Sequence, residues 1–230
     1  MKYPTVYSLF AARIQKYATE NPKDVFFFRS GDRWQGISWK RFEEETYDFA
    51  TALLSHDLKG GGKVCILMGN VPEWPISDIG TIMAGGVGVG LYPTSSAEQI
   101  AYIIDHSDAE FVLVDTREQL QKVLSVREQL LKVRHVIALD ASGDVTSYQS
   151  FVEQGRAERS RLSSLLKERA EGAAPDDVAI MVYTSGTTGP PKGACLSHRY
   201  IINSVESLRQ TIPIYDSDVS FSYLPFCHVA

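Results

Sequence analysis

The spacing of apolar residues changes along this chain. From Thr5 to Thr19 they fall at Val6, Leu9, Phe10, Ile14 and Tyr17, one stripe of a helix that Asn21-Pro22 stops. Phe26-Phe27-Phe28 and Trp34-Gln35-Gly36-Ile37 flank Ser30-Gly31-Asp32, which predicts a hairpin. Ser38 opens a second helix with Phe42, Phe49, Ala50, Leu53 and Leu54 on one side, ended by the turn Gly60-Gly61-Gly62. An alternation follows. Val64–Met68, Val87–Leu91, Phe111–Val114 and Val136–Leu139 are strand-like runs. Helical patterns lie between them, over Pro72–Ala84, from a capping-box spacing of Ser95 to Glu98, and over Arg117–Leu131. Strands alternating with helices predict an α/β fold with a mainly parallel sheet flanked by helices.

The segment from Ser142 to Pro175 is polar and rich in Arg and Glu, with a helix expected over Arg156–Glu171 whose charges mark a solvated face. Ala173 to Asp177 reads as a turn, and a subdomain boundary is expected there, separating residues 1–175 from 176–230. Val178–Val182 is then a buried strand, and Ala194-Cys195-Leu196 a returning one. Ser197 caps a helix carrying Ile201, Val205 and Leu208, and Phe221–Leu224 comes back as a strand. The glycines of Gly86-Val87-Gly88-Val89-Gly90 allow a helix to pack closely on the sheet.

The densest chemistry sits between Val178–Val182 and the returning strand. Within Thr184–Gly193 there are four hydroxyls (Thr184, Ser185, Thr187, Thr188), three glycines (Gly186, Gly189, Gly193) and Lys192. Glycines let backbone N–H groups turn toward an anion, hydroxyls donate to phosphate oxygens, and lysine adds a mobile positive charge. The Walker order is excluded, because Lys192 precedes Gly193 and Ala194 follows. The dinucleotide order is excluded too, because no helix start follows the glycines. The loop is expected to work through its own amides and side chains.

Composition adds exclusions. The chain has 230 residues, 44% hydrophobic and 22% charged, enough for a sizeable core, and its net charge of −5 gives no support for a nucleic-acid partner, which would need a basic face. Three widely spaced cysteines, Cys65, Cys195 and Cys227, form neither a disulfide framework nor a zinc site and suit a reducing cytosol. No signal peptide or membrane-spanning run is evident. Cys227-His228 is no thiol pair, since adjacent residues in an extended segment point to opposite faces.

The run Thr184-Ser185-Gly186-Thr187-Thr188-Gly189-Pro190-Pro191-Lys192-Gly193 resembles the phosphate loop of the adenylate-forming superfamily: acyl-CoA synthetases, luciferases and nonribosomal adenylation domains. Leu224-Pro225-Phe226-Cys227-His228 resembles that superfamily's next motif. Met68–Trp74 and Gly90–Thr94 look closest to its long-chain acyl-CoA synthetases.

The resemblance implies the N-terminal part of the large domain, incomplete at the C-terminus. It implies ATP-dependent activation of a fatty acid to acyl-AMP and then acyl-CoA, with CoA as cosubstrate. It gives the β- and γ-phosphates to Thr184, Ser185, Gly186, Thr187, Thr188, Gly189 and Lys192, and Mg²⁺ to the Thr184 hydroxyl. Lys192 and Thr184 become the catalytic residues, while His228 lines the carboxylate end of the acyl site and Phe226 forms a wall. Full members are more than twice as long, so the chain alone is expected to be inactive and to need a C-terminal portion or a complementary chain. Cytoplasmic placement is expected, with room for peripheral membrane contact. Two alternatives stand: another adenylating branch, such as an aryl-CoA ligase or a nonribosomal adenylation domain, and a non-catalytic ATP- or acyl-binding module.

Overall fold

The computed structural model of the chain describes residues 2–143, 145–184 and 190–228. Helix α1 (Val6–Ile14) begins at a capping box between Thr5 and Ser8 and runs on into a π-helical turn, Gln15–Glu20. Strands β1 (Asp24–Ser30) and β2 (Arg33–Ser38) form an antiparallel ribbon. Its turn uses Gly31 at φ 61°, a region that residues with a Cβ rarely enter. Ser38 caps α2 (Trp39–Ser55). Then come β3 (Lys63–Leu67), α3 (Glu73–Met83), β4 (Val87–Gly90), α4 (Ala97–His106), β5 (Ala109–Val114), α5 (Arg117–Ser125) and β6 (His135–Ala138). The chain goes on through β7 (Thr146–Ser147), α6 (Tyr148–Gly172), β8 (Val178–Thr184), β9 (Lys192–Ser197) and α7 (His198–Thr211).

Seven strands make the main sheet in the order β7-β6-β5-β3-β4-β8-β9, parallel except for β9. The chain passes from β3 to β4, crosses back through α4 to β5, and steps on to β6 and β7. Five inter-strand steps of about 4.8 Å then separate β7 from β8, roughly 24 Å across the sheet. The 25-residue α6 returns the chain over that span. Both faces are covered, so the central strands read as unbroken apolar runs. Phe49, Phe111 and Phe151 lie at the centre of one core, with α1, α2, α3 and α6; Leu67, Val112, Ile100 and Leu120 pack under α4 and α5 on the other face.

Helices α2 and α6 meet backbone to backbone. A Cβ on Gly155 would lie 2.7 Å from the Ala52 amide nitrogen and would collide with the Asp48 carbonyl. The Asp48 side chain, fully buried on α2, is held by Arg156 (2.9 Å) and Arg159 of α6. The expected solvated charge face of this helix is therefore interrupted where two of its arginines turn inward. The helix also starts eight residues earlier than expected, because Ser147 caps it and Tyr148 and Phe151 are core residues.

Two further expectations are corrected. Phe221–Leu224 is not a strand. These residues are exposed, and Asn70 rather than a neighbouring strand fixes their path: its amide donates to the carbonyls of Ser222 (3.2 Å) and Leu224 (2.8 Å). The cap of α4 is Ser96, with Gln99 completing the box, one residue beyond the Ser95–Glu98 spacing.

Candidate functional site

The carboxyl ends of β3, β4 and β8 share one edge of the sheet, the edge where open α/β sheets bind ligands. Strand β8 carries the chain to that edge, and β9 returns antiparallel with the register Ile180↔Leu196, Val182↔Ala194, Tyr183↔Gly193 and Thr184↔Lys192. Directly opposed residues of an antiparallel pair project from the same face. Thr184 and Lys192 therefore stand side by side, both exposed, on the last described rung of the hairpin. Ser185, Gly186, Thr187, Thr188 and Gly189 lie outside the described residues. The next helix, α7, begins only at His198, so no helix start follows Lys192 directly.

The face bearing Thr184 and Lys192 also bears a cavity of about 390 Å³ between α3 and α7. Ile180, Val182 and Leu196 form its floor, Trp74 and Asp78 one wall, and Val205 and Leu208 another. Phe226 and His228 lie at its end. Phe226 is half-buried, its N–H donates to Asn70 Oδ1 at 3.0 Å, and its ring lies 5.7 Å from that of Trp74. His228 is exposed, with its ring edge-on to Tyr92 at 6.3 Å. A Cβ on Gly90 would come within 2.8 Å of Cys227 Cβ, so that glycine lets the terminal segment lie against β4. Gly88 does the same for α3, beneath the Asp78 carboxyl, as expected of the glycine run. Burial pushes the Cys227 thiol up to about 11, which leaves no thiolate at neutral pH. Burial also pushes the Asp78 carboxyl up to about 7, although part of its surface opens to the cavity.

The hairpin, the cavity and Phe226-His228 thus converge, as does Asn70, whose importance sequence spacing did not show. Its legible signals are its place in the loop leaving β3 at the carboxyl edge and within the Met68–Trp74 stretch that carries the resemblance. Asp78 was hidden because a charged residue on an amphipathic helix reads as solvated. A larger hollow, about 690 Å³, opens at the amino ends of β3 and β4 between Lys63 and Arg169 and is lined by none of Asn70, Asp78, Thr184, Lys192, Phe226 and His228.

The architecture is that of the N-terminal domain of adenylate-forming enzymes. The inhibitor-bound N-terminal domain of FACL13 from Mycobacterium tuberculosis superposes with a TM-score of 0.75 at 20% identity, over 97% of this chain and 52% of that one. The fatty acyl-adenylate ligase of L. pneumophila, solved with acyl adenylate and pyrophosphate, superposes with a TM-score of 0.71 at 19% identity, over 98% and 36%. A family model described as AMP-binding enzyme matches residues 14–230, and the chain belongs to that family. It is similar to the long-chain-fatty-acid–CoA ligases ACSBG2 of Xenopus laevis, 30% identical over 98% of this chain, and ACSBG1 of Homo sapiens, 32% identical over 98%. It spans 31% and 32% of their lengths.

Proposed function

We propose that this chain supplies the triphosphate grip and one wall of the acyl site of an ATP-dependent long-chain fatty acid–CoA ligase. The Thr184–Lys192 rung carries the reading. It sets a hydroxyl beside an ammonium on the face that also holds an apolar cavity ending at Phe226 and His228. In the reaction a carboxylate oxygen attacks the α-phosphorus of ATP; a new O–P bond forms and the bond to pyrophosphate breaks. The CoA thiol then attacks the acyl carbon, AMP leaves, and the thiol proton passes to solvent.

Both partners of the first step are anions, so catalysis rests on neutralising charge and holding the groups in line. In a chain of net charge −5 that positive field is local, and Lys192 provides it, with Thr184 and the Ser185–Gly189 loop donating to the phosphates. His228 borders the carboxylate, and Phe226 packs against the acyl group. Among the described residues no three His, Cys, Asp or Glu side chains gather to hold a metal alone. A Mg²⁺ would instead rest on phosphate and water oxygens with the Thr184 hydroxyl as its protein contact, where it would offset phosphate charge.

We assign the protein to the cytoplasm, in keeping with the free thiols of Cys65, Cys195 and Cys227, and expect fatty-acid substrates to bring it to membrane surfaces. No described helix is long and apolar enough to cross a bilayer.

Calorimetric titration of MgATP onto the chain tests the reading. Lys192→Ala is expected to weaken binding about tenfold, the loss of a charge-assisted hydrogen bond. Equal binding by both proteins removes the case for a phosphate site here.

A further inference from the structure

The alternation along β8 gives Thr184 and Tyr183 opposite faces. Thr184 stands on the cavity side, and Tyr183 turns under α4, only 5% exposed. Its hydroxyl lies 2.8 Å from Nδ1 of His106, the last residue of α4. The two rings meet edge to face at 5.7 Å, and Tyr102, one turn earlier on α4, backs the imidazole at 5.3 Å. Across the hairpin, Tyr183 is paired with Gly193. A Cβ there would sit 3.0 Å from Tyr183 Cζ and 3.2 Å from both its hydroxyl and Met181 Sδ. The phenol is thus enclosed between a helix end and the bare Cα of the returning strand. It lies one residue from Thr184, and its cross-strand partner lies one residue from Lys192.

We propose that the His106–Tyr183 pair is a positioning device for the phosphate loop, locking the hairpin to α4 so that Thr184 and Lys192 are held ready for the triphosphate. The proposal rests on the phosphate-loop reading given above. Neither residue touches the nucleotide; both act through the rung that does. Burial pushes the Tyr183 phenol up to about 12, so it remains a donor throughout the neutral range. Neutral imidazole accepts from it, and imidazolium donates to its oxygen, so the contact survives either state of the ring.

The energetic reason is pre-organisation. A loop whose base is already fixed has less conformational freedom to lose when ligand binds. A single hydrogen bond between a buried and an exposed group is worth about a threefold to tenfold change in affinity.

Titration of MgATP onto the 230-residue chain, with thermal melts of each variant, tests this. Tyr183→Phe keeps the ring on Gly193 and removes only the hydroxyl. It is expected to weaken MgATP binding about threefold or more while lowering the melting temperature by only a few degrees, the cost of one hydrogen bond in a chain of this size. His106→Ala should weaken binding by the same factor, and the double variant by no more than either single one, because one contact is lost in all three. His106→Gln, which can again bond the phenol, should recover most of the affinity; a purely structural role gives no such rescue. If Lys192→Ala weakens binding and Tyr183→Phe does not, this proposal falls alone. If Lys192→Ala is also without effect, the phosphate-loop reading falls and takes this proposal with it.

Discussion

Asp78 shows how a single side chain can give the protein a pH response. It sits on the cavity wall above Gly88, and burial holds its carboxyl near 7, well above the ordinary carboxylate range. The folded protein therefore keeps a proton that the unfolded chain gives up near pH 4. Stability contributed by that proton is complete below pH 4, is lost as the pH rises toward 7, and stays lost above it. Asp78→Asn should melt several degrees higher than the parent at pH 8 and at the same temperature at pH 4; an equal shift at both pH values would show that charge is not the cause. His135 runs the other way. Burial and the His56 ring 4.7 Å away hold it below its ordinary value, so its contribution fades as the pH falls through 6.5. At this scale the sequence was least informative. Thr184 and Lys192 could be singled out because hydroxyls, glycines and a lysine crowd together in sequence. Asp78, His106 and Asn70 meet their partners only through the fold, with Tyr183 lying 77 positions from His106.

Helices α2 and α6 form the most tightly engaged pair of elements, and their contact has two parts that can be broken separately. Asp48→Ala removes a fully buried carboxylate and leaves Arg156 and Arg159, both partly exposed, to water. The expected cost is about 3 kcal/mol, the low end for breaking a buried ion pair, because the arginines can rehydrate. Gly155→Ala keeps every charge but puts a methyl group into the backbone of α2, so the helices must part. It should destabilise the protein by about 1–3 kcal/mol, as overpacking does. Chemical denaturation of both variants checks these values. Most elements were legible because apolar period and caps agree: Ser38 starts α2, Ser197 starts α7, and the β8–β9 hairpin brackets its loop. The helix α6 was shortened in prospect because its first turns, Tyr148 to Val152, carry aromatic core residues without a long helical stripe. The missing strand at Phe221–Leu224 has a related cause. An apolar, β-prone run becomes a strand only beside another, and here Asn70 takes up the carbonyls of Ser222 and Leu224.

Across the whole molecule, the segment after α7 is tied to the N-terminal helix far from it in sequence. Asp216 receives Lys16 and the Tyr17 hydroxyl (2.6 Å), while Lys23 Nζ donates to its backbone carbonyl at 2.7 Å. Around this knot Ile212, Ile214, Tyr215, Val219, Phe221 and Tyr223 are exposed. Asp216→Ala should therefore speed limited proteolysis within residues 212–224, read by mass spectrometry, with little change in global melting. Uniform acceleration of cleavage along the chain would count against a local tether. The α/β class and parallel sheet follow from alternation alone. The order of strands does not, because nothing in local spacing says that β8 returns beside β4 rather than continuing past β7.

Strict two-residue periodicity also limits how the segment entering the loop can vary. Residues from Ile180 to Thr184, past the register shift that follows Val178, can change in bulk and still deliver a hydroxyl to the cavity side and a phenol to the underside. Adding or deleting one residue there would exchange the two, turning the threonine toward α4 and the tyrosine into the opening. The length of this strand, more than its composition, is what natural variation is least free to alter.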